Sequence, residues 1–342
     1  MPVLFDSAPD GCIRIGLINN MSDEALKATE CQFISLLNSA SDNVPVHLSF
    51  YTLPGVPRSG LTASHISSRY SNVEDLWDRH LDGLIVTGRE PTTANLADEP
   101  YWDSFTKLLA WAQENCHATV LSCLAAHAAI LSMDGIRRVK ANDKVFGIFE
   151  CVRVSDHPLT AGTASQFRLP HSRWNGVPEE QLADCGYKVL TRSANAGVDT
   201  FIKQQKRLFV FFQGHPEYES DTLLREYRRD VGRYIKGEAS RYPLIPKSYF
   251  DEATVEELAA FEKKAVSRRS EELLSELNAI LGNKSIVNTW QASAASIYRN
   301  LLGHICAQKK TVLVSKRLKA MADGEQRSGV PYLPTLLLED VG

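Results

Sequence analysis

Thr119-Val-Leu-Ser-Cys-Leu-Ala-Ala-His127 and Leu208-Phe-Val-Phe-Phe-Gln-Gly-His-Pro-Glu-Tyr218 are the two segments that reveal most about this chain. Each is a continuous apolar run that ends in reactive side chains, Cys123 in one and His215 with Glu217 in the other. Such runs are typical of strands buried in a parallel sheet, where reactive residues lie just beyond the carboxyl ends. We therefore expect a thiol, an imidazole and a carboxylate around one crevice, the groups that nucleophilic acyl transfer requires.

The segments around these two runs alternate between strand and helix patterns. Strands are predicted at 13–20, 46–53, 84–88, 120–123 and 208–212, and helices at 24–37, 101–115, 124–133 and 220–236. More β-type segments are expected between 151 and 193, and the Ser-rich stretch 58–71 is predicted to be a loop. This alternation favours an α/β fold with a doubly wound, mostly parallel sheet.

The composition changes near residues 239–246, where two prolines mark a connection. Beyond it the sequence predicts a long charged helix at 256–281 and a second helical segment at 286–304. We therefore expect an α/β domain over residues 1–240 and a mainly helical C-terminal extension over residues 241–342, packed on that domain.

Composition narrows the class of protein. The 342 residues are 44% hydrophobic and 23% charged with a formal net charge of -3, which argues against nucleic-acid binding. The histidines show no zinc spacing, and no apolar run approaches the ~18 residues of a membrane span. The segment Met1–Asp10 does not resemble a signal peptide, and seven cysteines without framework spacing suggest reduced thiols. We expect a cytoplasmic protein without metal, nucleic acid or membrane partners.

Cys123 is the candidate nucleophile because of its position. A cysteine at the end of an apolar strand is usually buried and inert. A thiol at a sharp strand-to-helix turn, however, is held at the sheet edge near a helix N-terminus, which activates it. The backbone N–H of Leu124 would face the same space and could bind an oxyanion. Five cysteines lack this context and are interpreted as structural: Cys12, Cys31, Cys151, Cys185 and Cys306.

His215 and Glu217 are the candidate base and its orienting carboxylate. Their spacing through Pro216 lets the carboxylate hold the imidazole in one tautomer. Gly88, at the end of another predicted strand, is either a turn residue or a second oxyanion donor. Glu226 and Arg229 lie on the helix that follows, where such side chains are mostly solvated or paired.

A set of ordered motifs between Ile13 and Lys236 resembles one family. The motifs are Asn19-Asn-Met21, Thr29-Glu-Cys-Gln-Phe33, Leu84-Ile-Val-Thr-Gly88, Tyr101-Trp102, Lys144-Val-Phe-Gly147, Pro170-His-Ser-Arg173, Gly214-His-Pro-Glu-Tyr218, Thr222-Leu223, Glu226-Tyr227 and Arg229-Asp230, with a weaker match at Asn288-Thr-Trp290. Together they resemble the homoserine O-acyltransferases of the succinyltransferase type. That family has the class I glutamine amidotransferase-like fold.

The resemblance implies a role for each matching residue. Cys123 becomes the acyl-thioester nucleophile, His215 the general base and Glu217 its partner. Substrate-binding positions fall on Lys144, Ser172 and Arg229, the last holding the amino-acid carboxylate. The implied reaction is a ping-pong transfer from succinyl-CoA or acetyl-CoA to the hydroxyl of L-homoserine, in methionine biosynthesis. The resemblance implies no permanently bound cofactor, and it implies a homodimer.

The chain departs from the family pattern at several places. Cys123-Leu-Ala-Ala-His127 replaces Cys-Trp followed by small residues, and Met21-Ser-Asp-Glu-Ala-Leu-Lys27 replaces a Met-Pro-Lys-Lys stretch near the expected acyl donor. Arg89-Glu90 replaces Ala-Pro. The position associated with acyl choice, glycine for succinyl and glutamate for acetyl, is Thr92.

Three alternatives stay open at this point. The same chemistry could act on another hydroxy amino acid such as serine. The triad could instead serve a glutamine amidotransferase or a γ-glutamyl hydrolase, although Leu121-Ser-Cys-Leu-Ala125 lacks the glycines of their Gly-x-Cys-x-Gly motif. The third alternative is a non-enzymatic scaffold on the same fold.

Overall fold

The computed structural model of the protein describes residues 11–42, 44–282 and 284–328. The expectation about Met1–Asp10 lies outside these residues, as do the last positions of the predicted C-terminal extension, 329–342.

A seven-stranded sheet forms the centre of the fold, and a smaller four-stranded sheet lies beside it. In chain order the strands are β1 (Ile13–Ile18), β2 (Val46–Tyr51), β3 (Gly83–Val86), β4 (Ala118–Ser122), β5 (Val139–Arg153), β6 (Gln166–Gly176), β7 (Lys188–Val189), β8 (Thr191–Ser193), β9 (Gly197–Val198), β10 (Thr200–Gln204) and β11 (Leu208–Phe212). The large sheet has the order β2-β1-β3-β4-β11-β10-β7. Its first five strands are parallel, and β10 pairs antiparallel with β11 and β7.

Helices pack against this sheet and extend the chain beyond it. They are α1 (Asp23–Ala40), α2 (Gly60–Arg69), α3 (Trp102–Asn115), α4 (Leu124–Asp134), α5 (Glu179–Asp184), α6 (Thr222–Ile235), α7 (Glu252–Ser267), α8 (Leu273–Leu281) and α9 (Gln291–Ser328). The predicted α/β class, with a mostly parallel sheet and C-terminal helices, is confirmed. None of the described helices combines the length and apolar character needed to cross a bilayer.

Both faces of the large sheet are buried, which explains its continuous apolar strands. Along β11, Val210 and Phe212 belong to one hydrophobic core, whereas Phe209 and Phe211 belong to the other. The same alternation separates Val120 from Leu121 on β4. Alternate residues of a strand point to opposite faces, so a strand covered on both sides is apolar throughout.

The small sheet is antiparallel and has the order β6-β5-β8-β9. β5 and β6 pair over most of their length, with Phe146 opposite Ser172. This pairing brings the end of β5 that contains Lys144 close to Ser172, although the two residues are far apart in sequence.

The prediction of a loop at 58–71 was wrong, because most of this stretch is helix α2. Its hydroxyls are satisfied within the helix: Thr62, Ser67 and Ser68 each donate to a backbone carbonyl three residues earlier. The helix is also tied to the body of the protein, since the His65 ring bonds Glu30 of α1 at 2.7 Å. Tertiary contacts therefore override the weak helix preference of serine.

The predicted helix at 256–281 is two helices, α7 and α8, because the chain leaves helical geometry at Arg268. The next helix, α9, begins at Gln291 and not at 286, and it continues to Ser328. α9 packs along α1, and Lys309 Nζ on α9 lies 2.7 Å from the Asp82 carboxylate. The helices after residue 240 are therefore packed on the α/β region, while the domain boundary itself stays a prediction.

Candidate active site

Cys123 lies at the turn between β4 and α4. It is the N-cap residue of α4, and its backbone has φ 50° and ψ -109°. A positive φ is unfavourable for a residue with a side chain, and strain of this kind is found mainly at functional sites. Two backbone bonds hold the turn: Cys123 N–H donates to Phe212 O at 2.7 Å, and Ala126 N–H donates to Cys123 O at 3.0 Å. The thiol is partly exposed at the edge of the sheet.

His215 and Glu217 follow β11, the strand paired with β4. The register places Ser122 opposite Phe212, so both strands end at the same level. His215 Nδ1 lies 2.8 Å from Glu217 Oε1, and these residues are only 8% and 7% exposed. Ser122 Oγ donates to the same carboxylate oxygen at 3.3 Å. The imidazole is therefore held in one orientation by a buried carboxylate.

The electrostatic environment favours the charged form of His215. Burial alone would lower the pKa of its imidazole, but the electrostatic effects of the Glu217 carboxylate and of Cys123 outweigh burial and raise it well above the usual value. Because Glu217 occupies Nδ1, Nε2 is the ring nitrogen available to Cys123. When the thiol proton passes to the imidazole, the imidazolium stabilises the thiolate, which is the nucleophilic form of cysteine.

Gly88 and Leu124, the predicted oxyanion donors, lie directly against each other. A Cβ added to Gly88 would come within 2.6 Å of Leu124 Cβ and 2.8 Å of its backbone nitrogen. Real Cβ atoms do not approach other atoms so closely, so the two backbones can make this contact only because residue 88 is a glycine. The backbone amides of both residues thus lie together at the sheet edge next to Cys123, and their oxyanion role stays a prediction.

The three predicted substrate-binding residues meet in a second cluster, formed by Lys144, Ser172, Arg229 and two acids of α6, Glu226 and Asp230; it is called the acceptor cluster after the role predicted for it. Lys144 Nζ lies 2.9 Å from Asp230 Oδ2 and 3.9 Å from Glu226 Oε2. Ser172 Oγ donates to Glu226 Oε2 at 2.5 Å, and Arg229 Nε donates to Asp230 Oδ1 at 2.9 Å. Arg229 and Glu226 are therefore paired with other side chains, as expected for charges on this helix, and the substrate-binding role of Arg229 stays a prediction.

Charge compensation within the acceptor cluster determines the ionisation of Asp230. Burial would raise the pKa of this carboxyl, but Lys144 and Arg229 outweigh burial and hold it below the usual range. Asp230 is therefore an anion at neutral pH, and it orders both cations.

Tyr218 connects the triad to the acceptor cluster. Its ring stacks on the His215 imidazole with centroids 4.2 Å apart, and its hydroxyl donates to Glu226 Oε1 at 2.6 Å. In the sequence, Tyr218 and Asp230 are recognisable only as motif residues and no role was predicted for them. Each directly follows a predicted site residue, Glu217 and Arg229, and this adjacency could have indicated that they belong to the site.

Thr92, the predicted acyl-specificity position, lies in the loop after β3. Its N–H and its hydroxyl both donate to the Glu99 carboxylate, at 2.6 and 2.8 Å. Burial would raise the pKa of Glu99, but the bonds from Thr93 and Thr92 outweigh it and lower the pKa. The polar groups of Thr92 are therefore used to shape the loop, and its effect on acyl choice stays a prediction.

A third group of titratable side chains is connected to the segment before His215, because Gly214 N–H donates to Asp199 at 3.2 Å. Ligand atoms of Cys151, His171 and Asp199 lie within 4.8 Å of one another, all buried. Arg173 Nε donates to His171 Nδ1 at 3.3 Å, and Asp199 accepts bonds from two threonine hydroxyls and from the backbone N–H of Gly214. The Asp199 oxygens and His171 Nδ1 are therefore occupied by protein donors, and the Arg173 guanidinium places a positive charge beside the group, which is a poor setting for a metal ion. Burial raises the pKa of the Cys151 thiol, which fits its predicted structural role.

Comparison with known proteins gives consistent similarities. A sequence model described as homoserine O-succinyltransferase matches residues 10–312. The chain is 44% identical to the homoserine O-succinyltransferase of Rhodopseudomonas palustris over 86% of this chain and 89% of that one. It is 42% identical to the homoserine O-succinyltransferase of Bradyrhizobium japonicum over 86% and 90%. Among solved structures, a glutamine amidotransferase from Methylobacillus flagellatus is similar with a TM-score of 0.48 and 15% identity, over 86% of this chain and 95% of that chain.

Proposed function

The chain belongs to the homoserine O-succinyltransferase family of acyltransferases, and from this premise we propose that it moves a succinyl group from succinyl-CoA to the hydroxyl of L-homoserine. The observation that carries the mechanism is the arrangement at the sheet edge. Cys123 sits on a strained turn, and the His215 imidazole, which hydrogen-bonds the buried Glu217, lies within electrostatic range of the Cys123 sulfur. These are the parts that a covalent acyl-enzyme mechanism needs.

The first half-reaction loads the enzyme. His215 takes the thiol proton, and the Cys123 thiolate attacks the carbonyl carbon of the acyl-CoA. The backbone N–H groups of Gly88 and Leu124 stabilise the negative oxygen of the tetrahedral intermediate. When that intermediate collapses, the bond to the coenzyme A sulfur breaks, the leaving sulfur takes the proton from His215, and a thioester remains on Cys123.

The second half-reaction transfers the acyl group. His215 takes the proton of the homoserine hydroxyl as its oxygen attacks the thioester carbonyl. The bond to Cys123 sulfur then breaks, and the thiolate recovers the proton from His215. Glu217 stabilises the imidazolium in both halves, because its carboxylate lies 2.8 Å from Nδ1.

The acceptor cluster suits a zwitterionic amino acid because it contains charges of both signs. Arg229 would hold the carboxylate of homoserine, since its planar fork binds such groups bidentately. Its side chain is 40% exposed, so a ligand can reach it. Lys144 and Ser172 would complete the contact, ordered by the acids of α6.

Three further proposals concern the protein as a whole. We propose that it acts in methionine biosynthesis, with small-molecule partners and no permanently bound cofactor. We also propose that it is a homodimer and that residues 1–240 form the catalytic α/β domain. Serine in place of homoserine, and acetyl-CoA in place of succinyl-CoA, are outcomes that the following experiment distinguishes.

The test is intact-protein mass spectrometry after mixing with succinyl-CoA, and separately with acetyl-CoA, in the absence of an acceptor. We expect one added succinyl group, which disappears when homoserine is added and persists when serine is added. Cys123→Ala should form no adduct, and the matched control Cys31→Ala, at an exposed cysteine of α1, should react like the wild type. An adduct that persists in Cys123→Ala, or its absence with both donors in folded protein, would contradict the mechanism.

A further inference from the structure

Two arginines near the candidate active site have unsatisfied hydrogen-bonding capacity. Arg89 directly follows Gly88, and Arg138 follows the end of α4. The Nη1 atom of each is buried and, within the described residues, has no hydrogen-bond partner. A buried, unpartnered guanidinium nitrogen is costly, and native proteins usually pair such groups with protein atoms, water or a ligand.

The remaining contacts of these guanidinium groups are few. Arg89 Nε donates to the carbonyl of Glu90 at 3.2 Å, and Arg138 Nη2 reaches the carbonyl of Ala94 at a long 3.4 Å. Across residues 11–42, 44–282 and 284–328, neither arginine forms an ion pair with a carboxylate. Glu99, the acid whose charge acts on Arg138, already accepts bonds from Thr92 and Thr93.

Arg173 is a useful contrast, because it also lies within electrostatic range of the Cys123 thiol. Its three guanidinium nitrogens donate to His171 Nδ1, Asn175 O and Ala196 O. Each guanidinium nitrogen of Arg173 therefore has a hydrogen-bond partner in the fold. Within the described residues, Nη1 of Arg89 and Nη1 of Arg138 have none.

The position of the two arginines relates them to the acyl group. Both act electrostatically on the hydroxyl of Tyr101, and Arg138 acts on the Cys123 thiol as well. Arg89 is attached to Gly88, whose backbone lies against Leu124 beside the nucleophile. Arg89 thus lies one residue from the contact between Gly88 and Leu124, and Arg138 donates to Ala94 in the loop that follows Arg89.

We propose, on the basis of the proposed function, that Arg138 together with Arg89 binds the distal carboxylate of the succinyl group. A succinyl chain differs from a butyryl chain of the same length by a carboxylate in place of the terminal methyl group. Guanidinium groups with free N–H donors bind a carboxylate bidentately, whereas a methyl group would leave them unpaired. Arg138 and Arg89 therefore select the acyl donor, and the triad performs the transfer on any acyl group that reaches it.

The test compares two donors in the first half-reaction. The rate of thioester formation on Cys123 is measured with succinyl-CoA and with butyryl-CoA, without an acceptor. Arg138→Gln should lower the succinyl rate roughly 10- to 100-fold, the range for losing a charge-assisted hydrogen bond, and change the butyryl rate less than about threefold. Arg89→Gln should act in the same direction with a smaller effect. Arg137→Gln, at the exposed neighbouring position, is the matched control and should alter neither rate.

The outcomes separate this proposal from the proposed function. A wild type that forms no thioester with any donor overturns both. A wild type that reacts with succinyl-CoA, while Arg138→Gln lowers both rates equally or neither, overturns only the role of Arg138. If Arg138→Gln does not fold, Arg138→Lys is measured instead, because lysine retains the charge without the bidentate guanidinium group. A smaller fall in the rate of thioester formation, confined to succinyl-CoA, supports the proposal. Any other result overturns it.

Discussion

The triad and the acceptor cluster are built in different ways. Cys123, His215 and Glu217 come from two adjacent parallel strands whose register places both ends at one level. The acceptor cluster draws Lys144 and Ser172 from β5 and β6, which pair with each other in the antiparallel sheet, and Arg229 from α6, which shares no strand register with them. Strand register alone therefore brings together the residues proposed to react, whereas the residues proposed to bind the acceptor also need the ion pairs of α6 that join Arg229 to Lys144 through Asp230.

This difference has a chemical consequence. The triad residues are buried or strained, and their partners are set by the sheet, so substitution should affect the rate of the chemical step. In the acceptor cluster, Asp230 pairs with both Lys144 and Arg229 through side-chain charges. A change there should mainly alter how the acceptor binds. The following predictions test this distinction.

Glu217→Gln should have the largest effect, because an amide cannot stabilise the imidazolium and also favours the wrong tautomer. We expect kcat to fall by up to roughly 10⁴-fold, the loss seen when a triad carboxylate becomes an amide, with little change in the acceptor KM. Glu217 raises the pKa of His215 against the effect of burial. Removing its charge should lower that pKa, so the alkaline limb of the rate of thioester formation should move to lower pH.

The pH profile of thioester formation, measured for both proteins, checks this prediction. The apparent pKa values belong to the coupled Cys123–His215 pair and not to either residue alone. A profile that keeps its alkaline limb in the variant would show that Glu217 does not control the charge of His215. Glu219→Gln, at the exposed side of the same loop, is the matched control and should leave the limb in place.

Gly88→Ala should have the next largest effect. The added methyl group would lie 2.6 Å from Leu124 Cβ and 2.8 Å from its backbone nitrogen, so the two backbones must separate. We expect kcat to fall roughly 10²- to 10³-fold, the loss typical of one oxyanion donor. Single-turnover acylation measures the change, with thermal unfolding to show that the variant is folded. Gly60→Ala, which introduces no close contact, is the control.

Arg229→Lys should have the smallest effect and a different kind of effect. An ammonium retains the charge but cannot reproduce a bidentate clamp on a carboxylate, so the homoserine KM should rise roughly 10-fold with kcat little changed. Steady-state kinetics with homoserine as the varied substrate provides the measurement. An unchanged KM would show that Arg229 does not bind the acceptor. A fall in kcat alone would show that the triad and the acceptor cluster do not differ in whether they affect the chemical step or acceptor binding.

Several structural features were predictable from sequence because a local pattern encodes them. The apolar strands, the turn at Cys123 and the spacing of His215 and Glu217 depend on a few adjacent residues. Other features depend on partners distant in sequence. The helix at Gly60–Arg69 was mistaken for a loop because its anchor is Glu30 of α1, and the break at Arg268 carries no proline or glycine signal.

The sequence by itself determined the fold class, the nucleophile candidate and the imidazole–carboxylate pair, because the periodicity of buried strands and the chemistry at their ends are local properties. Folding of distant segments was needed to bring Glu226 and Asp230 to Lys144, Ser172 and Arg229 and to stack Tyr218 on His215. It also leaves Nη1 of Arg89 and Arg138 without a partner among the residues that the structure describes. The pairing of charged side chains depends on which distant helices and strands come into contact, and on whether each charge already has a partner there. No local pattern contains that information.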